Sequence, residues 1–372
     1  MARRILITGG AGFIGSHLAD ELVAHDYHVR VLDNLSPQVH GPSGRWPDYL
    51  SDSVECIRGD ITDERAVRRA LSDVDAVVHF AAMVGVGQSM YQVQDYVAAN
   101  DLGTAVLLQA LIENPVRKLL VASSMSIYGE GAYLDSNGSL VNAGERTADQ
   151  LRGGAWDIRD SSGAPLIPVP TTENKPPSLS SVYALSKYVQ ERMCLLVGRA
   201  YGIDTVALRF FNVFGTRQAL SNPYTGVLAI FASRLLNGRK PRIFEDGEQR
   251  RDFVHVRDVA RACRLALETP GAAGQAFNVG SGRSISIREV ARHLAAAMGR
   301  NDIEAEITEE FRVGDIRHCF ADIGLARQVL GYEPRVDFDS GLKELVEWLA
   351  DQEAQDRVDQ ATDELKRRGL VA

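Results

Sequence analysis

The chain has 372 residues, of which 45% are hydrophobic, and a formal net charge of −8. That length can hold two domains around a sizeable core, and the acidic balance argues against a nucleic-acid partner. The four cysteines, Cys56, Cys194, Cys263 and Cys319, are too scattered for a metal site or a disulfide framework and point to a reducing cytoplasm. No run reaches the roughly 20 apolar residues of a membrane span.

The first element is a short apolar strand, Ile5-Leu6-Ile7. Arg3-Arg4 before it gives a superficial likeness to a signal peptide, but Gly9-Gly10 breaks the apolar run almost at once. A Gly-rich turn follows and leads into a helical stretch, His17 to Leu22. Gly10, Gly12 and Gly15 have the dinucleotide fingerprint spacing, and Gly9, Gly12 and Gly15 give the variant with a wider first gap. Such a turn needs backbone freedom, close approach to a pyrophosphate and close helix–strand packing. The helix start then offers free N–H groups to phosphate oxygens. A second strand, His28 to Leu32, ends at Asp33, 18 residues after Gly15 and near the ~20 expected of a ribose-binding carboxylate. A carboxylate there accepts from a ribose 2′-hydroxyl and repels a 2′-phosphate, which favours NAD over NADP. The plainer alternative is that Asp33 caps a turn with Asn34.

Further strands are expected at Val54–Ile57, Ala76–Phe80, Lys118–Ala122 and Thr205–Phe210, with helices over 98–111 and 182–201. This alternation predicts an α/β, Rossmann-type doubly wound parallel sheet. Ligands sit beyond the carboxyl ends of such strands, where Asp33, Asp60, Ala81, Ser124 and Phe211 fall. In the second of those helices, Tyr183 and Lys187 are four residues apart and share one face. A free tyrosine, with a pKa of about 10, is a poor base at neutral pH. An adjacent ammonium and an oxidised nicotinamide would favour the phenolate, letting Tyr183 take a hydroxyl proton as hydride leaves the same carbon. Lys187 could also bond the nicotinamide ribose. The alternative is an ordinary Tyr and Lys on an amphipathic helix.

Taken together, the motifs resemble the extended short-chain dehydrogenases/reductases, in the branch of NAD-dependent nucleotide-sugar epimerases and dehydratases. The likeness covers roughly residues 3–350. It rests on Thr8–Gly15, Asp60-Ile61, His79–Ala82, Asn100 with Gly103-Thr104, Ser123-Ser124 before Ile127–Gly129, Tyr183/Lys187, Leu208–Gly215, Arg251–Val256 with Asp258, and Asn278–Ser281. The resemblance implies that Gly9, Gly12, Phe13, Ile14, Gly15, Asp33, Asn34 and Asn100 hold NAD, together with Tyr183 and Lys187. Asp60 and Ile61 would flank the adenine, and Ala81 and Ala82 would line the nicotinamide side. Ser124, Tyr183 and Lys187 would be catalytic. Ser124, Ser126, Asn212, Arg251 and Arg312 would bind the nucleotide sugar, with Asn212 and the two arginines on its diphosphate. Guanidinium forks suit such oxygens, although both arginines could instead pair with Asp252 and Asp315. The histidines, including His79, His255 and His318, read as structural, and no metal site is expected.

Dehydratases of this branch resemble Thr-Asp-Glu at the position of Ser124-Met125-Ser126, and decarboxylases carry Glu in place of Ser126. Neither Met125 nor Ser126 titrates usefully. The pattern therefore resembles the 4-epimerases, in which C4 of the sugar is oxidised, the keto-sugar turns over and the hydride returns to the other face. A net dehydrogenase or ketoreductase, a uronate decarboxylase and a non-catalytic NAD sensor remain as alternatives.

Between Tyr128 and Tyr183 lie 54 residues, more than the ordinary epimerase pattern. Asn-Gly and Ser-Gly pairs within 130–175 predict tight turns between short strands, and a segment this long is expected to be a flap over the sugar or a subunit contact, with surface decoration as the alternative. The insertion and the segment 218–226 most resemble epimerases of dTDP-6-deoxyhexoses, such as the rhamnose 4-epimerases. The expected boundaries are an NAD-binding domain over 1–209, rejoined by 252–279, and a smaller C-terminal α/β substrate-binding domain over 210–251 and 280–350. Helices are expected at 285–298 and 341–349. The charged tail 351–372 carries Val358, Ala361 and Leu365 at helical spacing and reads as a solvated terminal helix. The family resemblance also implies a homodimer built on a helix bundle that includes the Tyr183 helix.

Overall fold

Short runs of Ile, Leu and Val without polar alternation call for strands covered on both faces. The structure, a computed structural model, describes residues 3–220, 222, 224, 226–312, 314–352, 356 and 358–372. Positions 221, 223 and 225 of the segment 218–226 thus lie outside the described residues. The core is a seven-stranded sheet. In chain order the strands are β1 (Arg4–Thr8), β2 (His28–Asp33), β3 (Glu55–Arg58), β4 (Ala76–His79), β5 (Lys118–Ser124), β6 (Asp204–Phe210) and β7 (Ala276–Val279). Their spatial order is β3-β2-β1-β4-β5-β6-β7, and every neighbouring pair is parallel. The order reverses between β1 and β4, so the cleft for ligands opens above that junction.

Alternate residues of each strand feed two cores. Ile5, Ile7, Val29, Val31 and Val78 face one layer; Leu6, Leu32, Val77, Leu119 and Val121 face the other. The first layer contains the helix Phe13–Val23, packed against Val256–Glu268. The second contains Gly103–Glu113 and Val182–Tyr201. The expected helix over 98–111 is one helical run from Val93 to Glu113, with a π-turn at Val97–Leu102.

A third core lies outside the sheet. Phe214, Leu228, Phe231, Phe253, Leu294 and Leu345 are among its buried residues. Small paired strands frame it, including Asn212–Phe214 beside Phe253–His255 and Arg250–Arg251 beside His318–Cys319. The expected helix at 285 begins later. Ile285–Ser286 is a strand, and Ser286 caps a helix over Ile287–Ala297 through a reciprocal bond with Glu289. The Ser-x-x-Glu capping signature was present in the sequence.

The insertion forms a three-stranded antiparallel sheet of Leu140–Asn142, Ala132–Leu134 and Ile167–Val169. Its first turn is the Asp135–Gly138 corner, where Gly138 has φ +77°. The tail corrects another expectation. The helix Val358–Arg367 is not a solvated appendage: Ala361, Thr362 and Leu365 are buried against the body.

Candidate active site

Three strand ends and one helix N-terminus converge at the switch point. Gly9 follows β1 with φ +69°, and a Cβ there would stand 2.8 Å from the Ala81 nitrogen. A Cβ on Gly15 would stand 2.5 Å from the Gly9 carbonyl oxygen, so helix and turn touch through bare backbone. Gly12 is the helix N-cap and has no side-chain cap bond, so the first-turn N–H groups of Phe13 and Ile14 have no side-chain acceptor from it. These features make a cradle into which a pyrophosphate fits.

Asp33 ends β2 with its carboxylate 8% exposed. One oxygen accepts from the Ala11 N–H (3.0 Å) and the other from the Leu35 N–H (2.9 Å). The acid therefore caps its own turn and also fixes the Gly-rich turn, with lone pairs left for a ribose hydroxyl. The adjacent Asn34 donates to Asp60 (2.8 Å). Burial would raise Asp60, but bonds from Thr62 and Asn34 outweigh it and hold the carboxyl below its usual range. Ile61 packs beneath Gly103. Phe13 meets His17 edge to face.

A buried polar chain runs behind Ala81. The Ala81 N–H donates to Thr8 Oγ (3.2 Å), and Thr8 Oγ lies 2.8 Å from His79 Nδ1. His79 Nε2 is 2.9 Å from Thr104 Oγ, which itself donates to the Asn100 carbonyl. That accounting puts the imidazole proton on Nε2. Burial, reinforced by the Lys187 charge, drives His79 down to about 3, so the ring is neutral and structural. Asn100 does not present an open amide to the cleft. Its oxygen accepts from the Met83 N–H (2.7 Å) and its nitrogen donates to Met83 O and Ser186 Oγ, so it braces the chain beyond Ala81-Ala82 against the Tyr183 helix.

Ser124, at the end of β5, accepts from the Ser126 N–H (3.2 Å) and hydroxyl (2.9 Å). Its hydroxyl also lies near enough to the Tyr183 phenol to favour the ionised form. Burial raises the Tyr183 phenol above its ordinary value, and the Ser124 hydroxyl is what opposes that rise. Burial pushes Lys187 down to about 8. Lys187 Nζ donates to Gln190 Oε1 (2.7 Å), and Gln190 donates on to Thr104, so the ammonium is tethered on its own helix. A spacing of four shares a helix face, but Gln190, three residues on, competes for the same ammonium.

Asn212 leaves its side-chain oxygen buried and without a partner among the described residues. Arg251 donates to the Arg250, Arg317 and Ile316 carbonyls and lies 3.6 Å from Asp315. Arg312 stacks on Phe244 and pairs with the same Asp315 at 2.9 Å. The two arginines thus meet at one carboxylate. Burial would raise Asp315, but Arg312, Arg251 and Arg146 hold it below the usual range.

Comparison with known proteins decides the family. Residues 5–146 and 161–280 match the NAD dependent epimerase/dehydratase family. The chain belongs to this family. It is an NAD-dependent epimerase of nucleotide sugars by class. Over 355 residues it is 36% identical to a dTDP-L-rhamnose 4-epimerase from Burkholderia thailandensis, covering 94% of this chain and 95% of that one. It resembles the UDP-glucose 4-epimerase of Thermotoga maritima with UDP-glucose (TM-score 0.76, 32% identity, 93% and 98% covered). It also resembles that of Thermus thermophilus with NAD (TM-score 0.73, 32% identity, 94% and 100% covered). Dehydratases and a decarboxylase are also among its relatives.

Residues 147–160 of the insertion fall between the two matched stretches. Its anchoring was not legible in the sequence. Arg146 forks onto Glu245 with two 2.8 Å bonds and reaches the Asp315 carbonyl (3.0 Å). Arg317, 2% exposed, forks onto Asp246, binds Asp157 and donates its backbone N–H to the Glu130 carboxylate. The insertion is thereby clamped to the segment that carries Arg251, Asp315 and Arg312. Residues 130, 146 and 157 are far from 245 and 317 in sequence, and no local signal joins them.

Proposed function

We propose that this chain inverts C4 of a nucleoside-diphosphate hexose, and that the hexose is a dTDP-6-deoxy sugar such as dTDP-L-rhamnose. One observation carries the reaction type: beside the Ser124–Tyr183 pair, Met125 and Ser126 supply no second acid or base. Elimination or decarboxylation asks for more proton chemistry than this site offers. The match to the Burkholderia rhamnose 4-epimerase supports the sugar class.

In this reading the Asn212 side chain and the Arg251/Arg312 forks hold the diphosphate. The Gly9–Gly15 turn and Asp33 hold the cofactor's phosphates and ribose, with Asp60, Ile61, Ala81 and Ala82 around its two rings. Bound NAD supplies a hydride acceptor, then a donor, and in its oxidised form a positive charge that favours the phenolate. Tyr183 Oη removes the C4 hydroxyl proton, with Ser124 as relay, and returns it after the sugar has turned. Lys187, fixed by Gln190, is placed to bond the nicotinamide ribose. The test is incubation of the purified protein with a panel of nucleotide sugars and no added NAD. A new product of unchanged mass supports the epimerase; turnover only with stoichiometric NAD, with a change of two hydrogens, overturns it in favour of a dehydrogenase or ketoreductase.

The proposed homodimer has support on the surface. Val93, Val97 and Leu102 on one helical run, and Leu185 and Leu196 on the neighbouring Tyr183 helix, are large, apolar and exposed. Leu196→Glu should halve the mass in sedimentation; an unchanged mass would rule this face out. No helix among the described residues is long and apolar enough to cross a membrane. The free thiols of all four cysteines suit a cytoplasmic location.

A further inference from the structure

The last helix and the residues beyond it touch both ends of the proposed substrate site. On one side, Leu365 packs on Gly87: its Cδ2 is 3.3 Å from where a Cβ would stand. The Arg368 guanidinium lies 4.3 Å from the centre of the Tyr91 ring. Tyr91 shares a 2.5 Å hydroxyl contact with Tyr224, and Ser89, between Gly87 and Tyr91, accepts the Tyr183 N–H (3.0 Å). On the other side, Val371 forms an antiparallel bridge with Arg312. The Phe311 N–H donates to Ala372 O (2.8 Å), and the Ala372 N–H donates back to Phe311 O (3.1 Å). Asp359 anchors the helix by pairing with Arg234 (2.7 Å) and Arg239 (3.0 Å).

The helix also forms part of a cavity of about 1140 Å³, with Gln360 and Ala361 on one wall and Tyr49, Arg217 and Tyr224 on others. Tyr49 donates to the Ala11 carbonyl of the Gly-rich turn, so this space adjoins the cofactor cradle (2.9 Å). We infer that residues 358–372 are a substrate-positioning strap. They fix the backbone of Arg312 for the diphosphate and hold the Gly87–Tyr91 segment beside the catalytic tyrosine. The inference rests on the reading of Arg312 as a diphosphate ligand. Arg312 is otherwise held by its own side chain, through Asp315 and Phe244. Freeing its backbone lets the guanidinium follow Asp315 rather than the phosphate.

The test compares four NAD-loaded proteins in calorimetric titrations with dTDP and with UDP: the full chain, a chain ending before residue 358, Ala372→Pro and Arg312→Ala. Ala372→Pro removes one bridge N–H and leaves the helix intact. Truncation should weaken nucleotide binding by roughly ten- to hundredfold, the equivalent of one charge-assisted hydrogen bond, and Ala372→Pro should weaken it in the same direction. KM for the sugar nucleotide should rise in step in both variants, and Ala372→Pro, which leaves the Leu365 and Arg368 contacts on the Gly87–Tyr91 segment in place, should keep kcat at saturation and NAD content; a merely structural cap would lower kcat and thermal stability without this split. If Arg312→Ala loses affinity while truncation and Ala372→Pro do not, the strap is wrong and the role of Arg312 stands. Should the truncated chain fail to fold, unchanged affinity in Ala372→Pro overturns the strap. If Arg312→Ala binds normally, the diphosphate reading falls and the strap with it.

Discussion

Tyr183→Phe should lower kcat for epimerisation by about 10³-fold, within the usual worth of a positioned acid–base group, while the purified protein keeps its NAD. The ring that remains still packs edge to face with Tyr96, at 6.4 Å and 86°, so the helix keeps its seat. The proposed cofactor cradle of Gly9, Gly15 and Asp33 does not use the hydroxyl. Cofactor content read from absorbance, beside turnover, checks both halves. Full activity in this variant would sink the mechanism, and loss of NAD would make the result structural.

The pH profile tests the same pair. The proton must leave Tyr183, and burial holds that proton on. Activity therefore rises with pH as the phenol ionises, and it levels off above about 8, where Lys187 loses its charge. Ser124 is the group that opposes the burial effect on Tyr183. In Ser124→Ala the phenol should ionise at higher pH, so the rising limb moves to the alkaline side and activity at pH 7 falls. A profile that keeps its acidic limb in this variant would place the titration elsewhere.

The sheet was legible because its signals are local. β1, the Gly-rich turn and the first helix lie within 20 residues of one another, and the Tyr183 helix runs over Val182–Tyr201 as the spacing predicts. Tyr183 and Ser124 were legible as types in a pattern. The tether of Lys187 to Gln190 was not, since amphipathic spacing says which side chains share a face and nothing about which partner wins. The same limit applies to Asn100, whose three hydrogen bonds reach Met83 and Ser186 across the fold. The seat of the tail was hidden because charge dominates its composition. Three inward positions, Ala361, Thr362 and Leu365, help to seat it, with Arg234 and Arg239 meeting Asp359.

A second large effect is expected behind Ser124. Arg209 on β6 forks onto Glu191 with bonds of 2.9 and 2.6 Å. It also donates to the Tyr128 hydroxyl and the Glu173 carbonyl, each at 2.9 Å. Glu191, 1% exposed on the Tyr183 helix, also accepts from the hydroxyl of Ser123, the neighbour of Ser124 (2.6 Å). Arg209→Met keeps much of the volume and strands the carboxylate in the core. Breaking a buried pair by removing one partner costs about 3–5 kcal/mol, because the remaining charge loses its compensation. Urea titration should show a loss of that size. Removing both charges, in Arg209→Met with Glu191→Leu, should recover much of it, since no buried carboxylate is then left unpaired. A double variant as unstable as the single would mean that the cost lies in lost packing around Tyr128. The pair ties β6 to the Tyr183 helix and to the end of β5, so the single variant should also lose kcat by disturbing the Ser124–Tyr183 contact, whereas a packing defect alone would leave that contact and the pH profile unchanged.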